Sequence, residues 1–170
     1  MHDKKGASFR LFFFLIFASL LVGLDQFTKA IIVERLIEFE RIRVLPIFDI
    51  VRFHNTGAAF SFLADASGWQ NSFFTVIASC VSLGIVWYLY SLPEKGALTL
   101  HFGLSLVLSG AVGNLIDRLH YGHVVDFLLF YYEDWSWPAF NVADSAITVG
   151  ILLIVLDSLF LESKRINLNN

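Results

Sequence analysis

Charge is scarce in this chain: only 16% of its 170 residues are Asp, Glu, Lys or Arg. A water-soluble domain usually carries about a quarter. Cysteine is nearly absent as well. Cys80 stands alone, so no disulfide can form within the chain, and its apolar surroundings read as those of a small packing residue. No long basic run accompanies the net charge of −3, so nucleic acid is not an expected partner. Internal repeats, linkers and low-complexity segments are also missing, and residues 1–170 read as a single polytopic domain. What fills the chain is apolar: 56% hydrophobic residues, 18 phenylalanines and a mean hydropathy of +0.67. Membrane embedding is the first expectation.

A spanning helix needs about 20 mostly apolar residues. Four segments meet this, at about 9–28, 71–92, 97–116 and 141–161, and the expected fold is an all-α membrane protein of four transmembrane helices. Lys4, Lys5 and Arg10 before the first span could mark a signal peptide. The later spans and the lack of a small-residue cleavage site favour an uncleaved anchor. Four spans put both termini on one side. Lys and Arg are dense in the tails and the 93–96 turn but dispersed among acids elsewhere, which places both termini in the cytoplasm. The outer loops are then about 29–70 and 117–140. In the first, the alternation in "RIRVL" and "DIVRFHN" on either side of Pro46 predicts a small surface β-sheet. In the second, mixed aromatics and acids predict a short amphipathic helix on the bilayer.

With this topology the polar residues converge. Asp25 closes the first span, Asn114, Asp117 and Arg118 close the third, and Asn141 and Asp144 open the fourth, all near the outer boundary. Asp25 with Lys29 and Asn114 with Arg118 are spaced i,i+4, and Asn141 with Asp144 i,i+3, so each pair shares a helix face. Asp126, in "HVVDFLLFYY", follows close enough to fold over the same mouth. Ionisable groups at membrane depth mark function by default. The plainer reading is a polar network that fixes helix packing. Asp157 lies about 20 Å further along the fourth span and is expected to be merely solvated.

Two neighbouring carboxylates cannot both ionise, so they share a proton near neutral pH. One can then take a proton from an attacking water while the other serves the carbonyl oxygen and the leaving nitrogen. That is peptide hydrolysis without a metal. His120, His123 and Asp126 offer a weaker zinc reading, since zinc-binding helices more often use i,i+4 histidines and Tyr121-Gly122 reads as a turn. Ser105 or Ser109 with His101 is weaker still, because His101 lies deeper in the span. No metal or other cofactor is expected.

Five segments then carry a family resemblance: "DQFTK" (25–29), "NTGAAFSFL" (55–63), "GAVGNLIDR" (110–118), "GHVVDF" (122–127) and "FNVADS" (140–145). In this order the chain resembles, over nearly its whole length, the lipoprotein signal peptidase (signal peptidase II) family of bacteria. The resemblance implies an aspartic endopeptidase of the cytoplasmic (inner) membrane, with its site near the outer face. Its substrates would be prolipoproteins, cut just before a diacylglyceryl-modified cysteine, with membrane lipid as the other partner and a monomer as the working unit. Position by position, Asp126 and Asp144 match the catalytic pair, and Asn55, Gly57, Asn114, Arg118 and Asn141 match substrate-site residues. Asp25 and Lys29 match a supporting polar pair. The predicted sheet corresponds to the family's cradle and the 117–140 loop to a flap over the site. The rival classes are a small polytopic transporter using intramembrane acids, which should hold them near the midplane, and a packing subunit.

Overall fold

The computed structural model describes residues 4–57, 69–92 and 97–169. Residues 58–63 of the "NTGAAFSFL" motif and the 93–96 turn lie outside the described residues. The main elements are α1 (Lys4–Arg35), β1 (Arg41–Leu45), β2 (Phe48–Asn55), α2 (Trp69–Ser91), α3 (Leu98–Tyr121), β3 (Val124–Tyr132), β4 (Trp135–Ser136), α4 (Val142–Phe160) and α5 (Glu162–Asn169). Stretches of α1, α2, α3 and α4 are long and apolar enough to cross a membrane: Phe9–Arg35, Trp69–Ser91, Leu98–Tyr121 and Val142–Phe160. The expected helical membrane architecture with a small antiparallel sheet is therefore present. At 32 residues, α1 is about 48 Å long and outreaches about 30 Å of hydrocarbon, so its end carries residues beyond the bilayer.

Helix α3 is the axis of the bundle. Its apolar face meets α1 and α2 in a cluster that includes Ala18, Ile85, Leu89, Leu100, Leu104 and Leu108. Its other face lies almost backbone to backbone on α4. A β-carbon on Gly110 would sit 2.2 Å from the Ala143 carbonyl oxygen, and one on Gly150 would sit 2.6 Å from that of Gly103. Small residues let membrane helices approach closely enough for dispersion to hold them, since lipid supplies no hydrophobic drive between helices. Phe9, Leu20, Leu83 and Leu159 remain exposed, as lipid-facing side chains should be, and so does Cys80, which does not pack inside the protein. Trp69, Trp135 and Trp137 are exposed towards the sheet end and Trp87 and Tyr90 towards the other, two belts suited to the two interfaces.

The sheet runs β1-β2-β3-β4, all antiparallel. Its first two strands fall where the alternation and Pro46 place them. The second outer loop differs from expectation: it holds no amphipathic helix and no separate flap. Helix α3 runs on to Tyr121 and ends at Gly122, whose φ of 77° is a left-handed cap open to glycine at little strain. The chain then enters β3, which supplies the sheet's longest strand. The reason lies in backbone satisfaction. "VVDFLLFYY" is rich in β-branched and aromatic residues, and pairing with β2 on one side and with β4 and Phe140 on the other satisfies its peptide groups. Ile32 of α1 packs under Val125 and Phe127 and fastens the sheet to the bundle.

The close α3–α4 approach yields a prediction. Gly110→Ala should destabilise the protein by about 1–3 kcal/mol through overpacking. Gly84→Ala, where a β-carbon meets nothing within 4 Å, should be neutral or mildly stabilising. Thermal unfolding in detergent separates the two.

Candidate active site

The C-terminal end of α3, the N-terminal end of α4, helix α1 and the strands β2 and β3 meet where the sheet joins the bundle, and polar residues of all five converge there. At the base lies Lys29, 2% exposed, its ammonium 2.8 Å from Asp25 Oδ2, 2.9 Å from Asp117 Oδ2 and 2.9 Å from Asn114 Oδ1. Asp25 accepts a hydrogen bond from the Ala143 N–H of α4 at 2.9 Å, and Asp117 accepts one from the Val125 N–H of β3 at 3.0 Å. Gln26 donates to Asp117 Oδ1 at 2.8 Å and to the Gly113 carbonyl at 3.1 Å. Gly113 carries no side chain because a β-carbon there would lie 2.7 Å from Asp25 Oδ2. One buried cation thus ties α1, α3, α4 and β3 together.

Above this base stand Asp126 and Asp144, and each carboxylate oxygen accepts from an amide. Asn141 Nδ2 donates to Asp126 Oδ1 at 2.8 Å, and Asn55 Nδ2 to Asp126 Oδ2 at 2.9 Å. Asn114 Nδ2 donates to Asp144 Oδ1 at 2.8 Å, and the Asn141 N–H to Asp144 Oδ2 at 3.2 Å. Asn141 caps α4, its side-chain oxygen accepting from the Asp144 N–H at 2.9 Å, so the two residues form a reciprocal capping box. The amide orientations follow from their acceptors. Lys29 occupies Asn114 Oδ1, the Asp144 N–H occupies Asn141 Oδ1, and the Gly57 N–H occupies Asn55 Oδ1 at 3.0 Å. Each asparagine is left with only its NH₂ to aim at an acid.

Arg118 does not bond either acid. Its guanidinium donates to the Gly57 carbonyl at 3.3 Å and the Asn114 carbonyl at 3.4 Å, and lies 5.5 Å from the centre of the Phe74 ring. It braces the turn after β2 against the end of α3. The zinc reading does not assemble: His120 packs on Tyr121, while the His123 ring stacks on His54 at 3.8 Å. No group of three or more His, Cys, Asp or Glu side chains is placed to hold a metal among the described residues. The serine–histidine reading fails too, because Ser105 and Ser109 donate to backbone carbonyls of their own helix. Asp157 is not solvated, contrary to expectation. It is buried and paired with Arg165, which reaches back from α5. A short C-terminal helix, invisible in the hydropathy of span 4, supplies that cation.

The charge balance around Asp126 decides its proton. Burial pushes its carboxyl up to about 7; the nearby Asp144 charge adds to this, and hydrogen bonds from Asn55 and Asn141 with the Lys29 charge oppose it. Asp126 is 3% exposed, whereas Asp144 is only part-buried.

Comparisons with known proteins agree with this architecture. Residues 17–160 match the family model described as signal peptidase (SPase) II. The lipoprotein signal peptidase of Cupriavidus necator is 51% identical over 157 residues, covering 92% of this chain and 89% of that protein. The lipoprotein signal peptidase of Acinetobacter baumannii is 48% identical over 146 residues, covering 86% and 82%. Two solved structures, both described as a bacterial membrane enzyme determined by the in meso method, superpose with a TM-score of 0.74. They are 33% and 30% identical, cover 86% of this chain in each case, and are themselves covered to 87% and 92%. The fold and the matches define a multi-pass membrane peptidase. The chain belongs to the signal peptidase II family.

The raised Asp126 carboxyl gives a signed expectation. A carboxyl whose folded pKa exceeds its unfolded value of about 4 adds stability below that value, and the contribution is lost as pH rises through about 7. Asp126→Asn should therefore melt above the wild type at pH 8, by roughly 5 °C. The gap should close towards pH 4. A melting temperature for the variant below that of the wild type at pH 8 would contradict this charge balance.

Proposed function

We propose that the chain is an aspartic endopeptidase that removes the signal peptide from bacterial prolipoproteins, with Asp126 and Asp144 as the catalytic pair. The observation that carries this reading is the one described above: two acids side by side, all four oxygens held by amide donors, over a buried lysine. Such a pair shares one proton and titrates as a unit. The α4 N-terminus favours negative charge at Asp144, and burial favours the proton on Asp126.

The chemistry follows from that division. The ionised carboxylate takes a proton from a water as the water oxygen attacks the scissile carbonyl carbon. The protonated carboxyl hydrogen-bonds the carbonyl oxygen as negative charge develops there. Collapse of the tetrahedral species breaks the C–N bond, and a proton passes from the pair to the leaving nitrogen. Asn55, Gly57, Asn114, Arg118 and Asn141 shape the substrate site: the asparagines by holding the acids, Arg118 by bracing Gly57. Asp25 and Lys29 support the site from below.

The dense Lys and Arg of the tails support a topology with both termini in the cytoplasm and the sheet on the outer face of the inner membrane. The scissile bond then lies before a diacylglyceryl-modified cysteine at the outer boundary, with membrane lipid around it. All these residues come from one chain, which suits a monomer. A transporter reading finds less support, because the acids gather at one end of the helices instead of at mid-depth.

Two experiments test the proposal on lipidated precursor in detergent. Asp126→Asn and Asp144→Asn should each fold yet lose about 10²–10⁴-fold in turnover, the range expected for a missing proton-transfer group. Near-normal turnover by either variant would remove the aspartic mechanism. A precursor lacking the diacylglyceryl group should be cut far more slowly, since each acyl CH₂ buried in the bilayer contributes about 0.8 kcal/mol to holding the bond at the site's depth. Equal kcat/KM for the two precursors would contradict the role given to lipid.

A further inference from the structure

Beyond the acid pair, the sheet encloses a second feature that the hydrolytic chemistry does not use. A cavity of about 340 Å³ opens beside Asp126, walled by Phe39, Phe53, His54, Asn55, Trp137 and Asp126 itself. That volume lies at the low end of the range for specific ligand pockets. None of its lining residues belongs to a membrane-spanning segment. Its walls are also held in place. Phe53 pairs with Asp126 across β2 and β3, so the two share a sheet face, and Phe39 packs on Phe53 with ring centres 6.2 Å apart. The opposite wall is pinned at two points: the Trp137 N–H donates to the Phe130 carbonyl at 2.8 Å, and Phe140 bridges Leu128.

We infer that this cavity receives the side chain of the second residue beyond the cleaved bond, the one that follows the lipidated cysteine on the mature side, and that Trp137 and Phe39 set its selectivity. The inference rests on the peptidase reading above. The signal peptide's apolar segment must sit in hydrocarbon and so approaches from the spans, while the mature chain leaves towards water. A pocket built from the sheet and its connecting loops, with a catalytic acid in its wall, lies on the path of the departing half. Its aromatic walls suit an apolar side chain of moderate size. Asp126 and the neighbouring Asp144 disfavour an acidic one.

The test uses the full-length protein and two series of lipidated precursor peptides. The first series carries Leu, Ser or Asp at the second residue after the bond, and the other carries matching changes three residues before it. The wild type should cut the Leu member of the first series about tenfold more efficiently than the Asp member, like charges being costly at a contact. Trp137→Ala should raise KM for the Leu precursor about tenfold through lost apolar contact, leave kcat unchanged and flatten the first series alone. Phe39→Gly, at a position whose φ of 66° suits glycine, should do the same if Trp137→Ala folds poorly. Trp87→Ala, at the far end of α2, should change neither series. Wild-type cleavage with a flat first series, or a Trp137→Ala effect confined to the other series, overturns the pocket assignment alone. Failure of the wild type to cut any precursor overturns the peptidase reading and this one with it.

Discussion

A buried ammonium between two buried carboxylates is costly to desolvate and worse to break, and the site depends on one. Removing a single partner from such a group typically costs about 3–5 kcal/mol, because it strands the others uncompensated. Here the stranded groups would be Asp25, Asp117 and Asn114, which also hold the N-terminus of α4, the start of β3 and the orientation of an active-site amide. Lys29 therefore does more than neutralise charge. It sets the relative position of α1, α3, α4 and β3 at the site. The glycine at position 113 is part of the same constraint, since any larger residue would push Asp25 off the lysine's helix face.

From that base the geometry propagates by hydrogen-bond polarity. An amide has two ends that differ only in whether they donate or accept, and a donor placed at the oxygen end decides which way it faces. The lysine fixes Asn114, the helix N-terminus fixes Asn141, and the Gly57 backbone fixes Asn55. All three then offer donors to carboxylates. Aspartate in any of these places would bring a third negative charge to the pair, and alanine would leave an acid oxygen bare. The repeated use of asparagine is thus a consequence of needing two acids in one poorly solvated place.

Much of this was legible in the sequence, for reasons particular to membrane proteins. Long apolar segments can only be spans, and a polar residue inside one is conspicuous. Asp25, Lys29, Asn114, Asn141 and Asp144 stand out in this way, and the structure does bring them together. Asp117 is equally visible but had no partner assigned, because its ligands come from α1 and from a backbone N–H of β3 that no periodicity marks. Gln26 sat inside a recognised motif, yet nothing local signalled that it would bridge to α3. The second outer loop was misread because "VVDFLLFYY" lacks strict alternation. Its strand character comes from burial of its first half on α1 and pairing on both edges, which are tertiary facts. Asp157 was misread for a similar reason: the cation that pairs it, Arg165, lies beyond the last span in a segment that hydropathy treats as tail.

The two acids also come from different kinds of structure, and that difference sets what surrounds each of them. Asp144 lies in the first turn of a spanning helix and remains part-exposed, whereas Asp126 lies on a sheet strand and is almost fully enclosed. The cavity with Asp126 in its wall lies wholly outside the spanning segments. A pair built from two helix residues at mid-depth would have no such separation, because lipid would enclose both acids alike. Placing one acid on a strand puts one wall of the pair outside the spanning helices without opening the bundle. The sheet therefore shapes the surroundings of the acid pair as well as closing the end of the bundle.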